Sequence, residues 1–310
     1  MAFFNKDNNG AAELQSLTGV YYAANSYELI AGEIHDASRE VAEIIGEGVA
    51  QRAEQAYNSG TDTELVRAVQ TPIACLAMSR YFRQTIISHE DSGRKLKIDE
   101  NEKVPFEWML DRDDKAMRER YFRSLDSLFD YLDKAKIAEW ENSRMYNLTK
   151  LSIVRNIHDF EAIYPIEQSR YTFFMLLPLI VEVQATKLHR VLGDVWERIN
   201  GETVEDKDRN LLHCAQRVAV LEAVLIAVER WSIEVFPQSV ARRFLPTYQG
   251  NKASHSATTT EIDWYLNKLR AQADEAMQDI MAEVRGGNQY KDLQLHPENS
   301  PKKKYFTAGM

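Results

Sequence analysis

Apolar residues recur at three- and four-residue steps along most of this chain, and that spacing commits it to helices. Leu29, Ile30, Ile34, Ala37, Val41, Ile44, Ile45 and Val49 fall on one face of a helix that opens near Tyr27 and ends at Asn58-Ser59-Gly60. A second stripe, Leu65, Val69, Ile73, Leu76 and Tyr81, follows a cap at Asp62 or Thr63, and Pro72 predicts a bend in it. A third helix opens at Pro105 and turns Trp108, Leu110, Met117, Tyr121, Leu125, Leu128 and Leu132 inward. Its acids come early (Glu107, Asp111, Asp113, Asp114), where the helix dipole favours them. A connector over 136–165 reads as short helices anchored by Trp140, Tyr146, Ile153, Phe160 and Tyr164.

The second half repeats the plan. A long helix is expected from Ile166 to Asn200, with Phe173, Leu176, Leu177, Ile180, Val183, Leu188, Val191, Leu192 and Val195 as its buried stripe. Another runs from Asp206 to Phe236 through Leu211, Cys214, Val218, Leu221, Leu225, Val228 and Trp231. A last helix spans Glu261 to Val284, with Gly286-Gly287 as its stop. One β excursion is expected at 86–98, where Asp91-Ser92-Gly93 separates two β-capable runs. The expected fold is therefore all-α, a multi-helix bundle with one small β-hairpin excursion. Its parts are an N-terminal arm over 1–25, a first helical unit over 26–135, the connector, a second unit over 166–285 with a long loop at 237–260, and an extended tail over 286–310.

Placing Arg67 on Arg217, a shift of 150, also puts Ala77 on Ala227, Arg80 on Arg230 and Tyr81 on Trp231. Past the polar excursion the shift becomes 156, and Trp108 meets Trp264 while Leu110 meets Leu266. Two readings fit: an internal duplication into tandem adaptor-like units, or chance likeness between amphipathic helices.

Little in the chain points to catalysis. The 310 residues carry 47 acids against 38 bases, a formal charge of −9, which argues against a general nucleic-acid binder. An acidic wall still suits a surface that lets DNA slide past without sticking. Cys75 and Cys214 sit in apolar helical stretches and read as reduced core residues. His-Glu-x-x-His, Glu-x-x-His, the Walker loop and the nucleophile elbow do not occur, and the seven histidines do not pair at helical spacing. Gly46-Glu-Gly48 starts like a dinucleotide loop, but no strand precedes it and Gln51 stands where a third glycine belongs. Glu182 and Glu222 lie on apolar helices, as an acid–base pair or as partners for Arg190, Arg217 or Arg230. Phe173 to Val181 is the longest apolar run, short of the ~20 residues of a membrane span. The N-terminus does not read as a signal peptide. These features predict a protein without cofactor, metal or catalytic residues, made in the cytoplasm.

Four segments carry a resemblance: Val104 to Asp114 (VPFEWMLDRDD), Tyr121 to Leu132 (YFRSLDSLFDYL), Glu139 to Ser143 (EWENS) and Asp159 to Ile166 (DFEAIYPI). With them the chain resembles an uncharacterised family of structural proteins from phages and prophages of Bacteroides-type bacteria, over residues 26 to about 285. Its helical halves also resemble the small adaptors of phage head–tail connectors, at about twice their length. The resemblance implies a virion structural protein, not an enzyme, at the head–tail junction. There a ring of twelve copies would meet the portal protein and tail or collar proteins, close to packaged DNA and away from any membrane. Its implied partner contacts are Arg94, Lys95, Lys97, Arg242, Arg243, Lys302, Lys303, Lys304, Tyr305 and Phe306; the basic residues among them also fit plain solvated charge. Two other readings stay open: a helical adaptor or regulator of bacterial physiology, and an enzyme with no recognisable motif.

Overall fold

The structure is a computed structural model that describes residues 3–5, 9–20, 26–85, 88–90, 93–95, 106–201, 203–230 and 259–292. Among these the chain is all-α apart from two three-residue strands, β1 (Ser88–Glu90) and β2 (Gly93–Lys95), which pair antiparallel with Ser88 opposite Lys95. It divides into two compact units. The first takes in residues 1–150 and 168–175; the second takes in 151–167, 176–230 and the last helix.

In the first unit α4 (Thr63–Thr85) is the central element. α1 (Asn9–Thr18), α2 (Ala31–Ile45), α3 (Glu47–Ser59) and α5 (Glu107–Lys134) all pack against it. A helix with neighbours on several sides buries residues all round. Leu65, Val66, Val69, Ile73, Ala74, Cys75, Ala77 and Met78 are accordingly all buried, and Pro72 is held inside the helix without ending it. Two short helices, α6 (Ala138–Glu141) and α7 (Arg144–Leu151), follow.

The segment expected to be an arm is part of this core. Phe3, Phe4, Ala11 and Leu14 are buried. Gln70 Nε2 donates to the Phe3 carbonyl at 2.6 Å, and Glu13 accepts from the Asn5 amide at 3.1 Å and from the Tyr57 hydroxyl at 2.8 Å. Gly10 permits the approach, since a Cβ there would lie 2.2 Å from the Asn5 carbonyl oxygen.

The single helix expected from Tyr27 to Gly60 is broken at Gly46, whose φ of +92° separates α2 from α3. The break explains Gly46-Glu-Gly48 without any nucleotide. A Cβ on Gly46 would lie 3.2 Å from the Ser143 Cβ, and one on Gly48 would lie 3.3 Å from the Glu139 Cβ. Arg52 then reaches Glu139 at 2.9 Å. The two glycines are what let this corner close onto the 139–143 segment. Gly46→Ala combines a left-handed backbone with a tight contact, and is expected to destabilise by about 1–3 kcal/mol in urea denaturation. An unchanged midpoint would refute the packing role.

The second unit is built on α12 (Arg209–Arg230), which packs along α13 (Thr259–Asp292). α8 (Ile157–Glu161) and α11 (Trp196–Ile199) lie against α12, and α10 (His189–Leu192) meets α13. The long helix expected over 166–200 is in pieces. Glu167 and Gln168 both have left-handed φ, so the helical run starts only at Arg170, as α9 (Arg170–Val183), whose first residues count with the first unit. A π turn over Gln184–Leu188 follows, and Gly193, at φ +51°, interrupts the run again. Ile180, Gln184, Leu188 and Leu192, all buried, keep four-residue steps through this turn.

Gly286 and Gly287 do not stop α13, which continues to Asp292. Glycine inside a helix costs about 1 kcal/mol relative to alanine, a penalty a long helix can absorb. The expected loop at 237–260 and tail at 286–310 lie outside the described residues, save for the ends of α13. Two helical segments, Arg170–Ile199 and Asp206–Arg230, are long and apolar enough for a membrane span, although no uninterrupted run is. In each, 56% of the most apolar window is buried inside the protein, as in a core helix.

Candidate interaction surface

α5 is two helices in one. Its second half is held by Tyr121, Leu125, Leu128, Phe129 and Leu132, all buried, and by a polar network on the same face. Arg170 donates to Asp133 Oδ2 at 2.5 Å and to Asp130 Oδ1 at 3.1 Å, while Trp140 Nε1 donates to Asp133 Oδ1 at 2.7 Å. Burial pushes the Asp133 carboxyl up, whereas Lys134 and Arg170 hold the Asp130 carboxyl down.

Asp126 caps α9 from across the core: its Oδ1 accepts the Tyr171 amide at 2.8 Å, beside Ser169, whose Oγ accepts the Thr172 amide at 3.2 Å. Burial raises the Asp126 carboxyl above its ordinary 3.8 despite these donors. A raised carboxyl holds its proton more tightly in the folded state. Its contribution to stability is therefore full below pH 3.8 and is lost as pH rises through the raised value. Asp126→Asn keeps an acceptor and removes the desolvated charge. At pH 7 it is expected to match or exceed the parent in a denaturant midpoint, and to flatten the decline on going up from pH 4. Asp126→Ala, which loses the cap, should cost about 1–2 kcal/mol.

The first half of α5 has no such support: no residue from Glu107 to Arg120 is buried. Trp108, expected to face inward, is 58% exposed, beside Phe106 and Met109, which are exposed as well. The inward reading failed because periodicity marks an apolar face without saying which molecule covers it. Two tethers fix this half at its flank. Arg83 Nε pairs with Asp114 at 2.9 Å, and Arg120 caps the end of α1 by donating to the Thr18 and Leu17 carbonyls at 2.5 and 3.2 Å. Between them lies a cleft of about 160 Å³, floored by Val20, Cys75, Met78 and Met117. Cys75 is buried and its thiol is pushed up by that burial; Cys214, expected in the core, is partly exposed.

The second unit also carries an exposed tryptophan. Trp264, on the second turn of α13, is 58% exposed, and Lys268 Nζ lies 5.9 Å from its ring centre.

Of the residues expected to contact partners, Arg94 and Lys95 are placed on β2 by their backbone. Lys97, Arg242, Arg243, Lys302, Lys303, Lys304, Tyr305 and Phe306 lie outside the described residues. Glu182 and Glu222 do not form an acid–base pair. Glu182 takes both arms of Arg230 at 2.6 Å, and Glu222 takes Lys187 at 2.5 Å. Among the described residues no group of three or more His, Cys, Asp or Glu side chains could hold a metal ion.

A family model described as "Family of unknown function (DUF6712)" matches residues 43–150, a span that includes the 139–143 corner and the whole of α5. No curated protein and no solved structure matches the chain.

Proposed function

We propose that this chain is a structural subunit of a head–tail connector. It forms a ring of twelve copies that joins portal to tail around the DNA channel of a virion, after assembly in the host cytoplasm. It acts as a scaffold, without catalysis or cofactor. The observation that carries the reading is the unburied first half of α5. Fourteen residues, Glu107 to Arg120, make about 21 Å of helix. That half is rigidly continuous with a half locked in the core, and it presents Phe106, Trp108 and Met109 outward. Clustered exposed aromatics on a fixed helix fit a protein surface better than a substrate. The expected contacts on the 86–98 excursion and the 286–310 tail belong to the same proposal.

The finer architecture, two tandem adaptor-like units, is part of it. Three pairs joined by the sequence shifts have matching environments. Ala77 and Ala227 are both fully buried, and Trp108 and Trp264 are both 58% exposed. Arg80 grips both oxygens of Glu40 at 2.7 and 2.8 Å, as Arg230 grips Glu182.

The test is assembly of the full chain, residues 286–310 included, with portal and tail proteins, read by particle mass and electron microscopy. A ring bound to at least one of them is expected. A chain that joins neither overturns the reading.

A further inference from the structure

We infer that Asn200 is a site of spontaneous deamidation and that Arg155 sets its rate. Glycine has no Cβ to shield its own amide or stiffen the backbone, so an Asn-Gly step is the most open to attack on its side chain. The chain has two, Asn9-Gly10 and Asn200-Gly201. The first is closed. Gly10 is buried so tightly that a Cβ there would lie 2.2 Å from the Asn5 carbonyl oxygen and 2.5 Å from the Tyr27 ring. The second is open. Asn200 and Gly201 are half-buried and belong to no helix. Among the described residues nothing accepts from the Gly201 amide, and the buried Asn200 Oδ1 has no donor. Buried amide oxygens are rarely left so, and no bond fixes either reacting group. The Gly201 amide gives its proton to hydroxide, and its nitrogen bonds to Asn200 Cγ. The Cγ–Nδ2 bond breaks, Nδ2 takes up a proton from water, and ammonia leaves. Water then opens the succinimide at either carbonyl, giving aspartate or isoaspartate. One bond opposes closure. Closure turns the Asn200 ψ away from its 4°, which swings the Asn200 carbonyl off Arg155, whose Nη2 donates to it at 2.5 Å. A charged donor on that carbonyl slows the turn about tenfold.

The experiment ages the full chain in mildly alkaline buffer and maps its peptides by mass. Asn200 is expected to gain one mass unit, with isoaspartate among the products, about tenfold faster than Asn9. In urea, with the fold gone, the two steps should react at similar rates. Gly201→Ala should slow the reaction at Asn200 about tenfold, because the added methyl shields the nitrogen. It should fold as the parent does, since a Cβ there meets nothing closer than 3.6 Å. Arg155→Ala should speed Asn200 about tenfold and leave Asn9 unchanged, while hydrogen exchange along α12 stays as in the parent. An Asn200 that stays intact, that converts no faster than Asn9, or that is indifferent to Gly201→Ala overturns the site. An Arg155→Ala chain that converts at the parent's rate, or only with α12 opened, overturns the role of Arg155.

Discussion

Trp140→Ala is expected to destabilise the first unit by about 4 kcal/mol, in the range for emptying a buried tryptophan site. Trp140 has no exposed surface. Its ring meets Phe174 edge-on at 5.4 Å and Tyr146 at 5.8 Å, and lies 5.4 Å from Phe129 at a tilt. Removing it opens a cavity at the junction of α5, α6 and the start of α9, where little can collapse inward. It also takes a donor from Asp133, a carboxyl that burial already pushes up. The Asp133 proton should then be held more tightly still, so the loss should grow as pH rises from 4 to 7. Trp140→Phe separates the two effects. It leaves a smaller void than alanine and loses the N–H, a hydrogen bond to a charged group contributing about 1.5–3 kcal/mol. Urea denaturation of both variants at two pH values decides the matter. Equal losses for the two would mean that the ring packing contributes little.

Periodicity is a statement about faces, and it was reliable wherever a face met the chain's own core. Most positions of the stripes on α4, the second half of α5 and α12 are buried, whereas Leu76, Tyr81, Cys214 and Val228 are only partly so. It failed where the chain leaves the face uncovered, as at Trp108, because the pattern marks an apolar face and not whether anything covers it. It also failed where a backbone setting decides. Gly46 and Gly193 look like any helical glycine until the contacts at Ser143 or a positive φ are seen. The N-terminal segment was misread for a third reason. Its Asn- and Gly-rich start signals a solvated arm, but Phe3 and Phe4 are buried and Gln70, far along the chain, fixes the backbone there. The candidate surface was legible only in part. The motif around Trp108 stood out as a resemblance, yet only burial distinguishes its outward role, and most of the basic residues first singled out fall outside the described residues.

Gln184→Leu is expected to cost the second unit about 1–3 kcal/mol, although leucine fills nearly the same space. The reason lies in a short irregular stretch, Ser152 to Val154, whose three residues are buried. Buried backbone outside regular structure must find partners for every amide. Gln184 supplies one, its Oε1 accepting the Ile153 amide at 2.6 Å, while its Nε2 donates to the Leu151 carbonyl just before the stretch at 3.1 Å. Gln216 supplies another by donating to the Ile153 carbonyl at 3.0 Å. Leucine would leave the buried Ile153 amide without a partner, at about 1–3 kcal/mol, whereas Leu151 is 60% exposed and its carbonyl can turn to water. Gln184→Glu gives the sharper result. The introduced carboxylate still accepts from Ile153 but repels the Leu151 carbonyl, and only its protonated form can donate there. Its pKa should rise on folding, so this variant should lose more stability at pH 7 than at pH 4, while Gln184→Leu shows no such difference. Hydrogen exchange at the Ile153 amide should quicken in Gln184→Leu and stay slow in Gln184→Glu at low pH. If Gln184→Leu melts with the parent, the stretch is held by its apolar side chains alone, and the glutamine clamp has no energetic role.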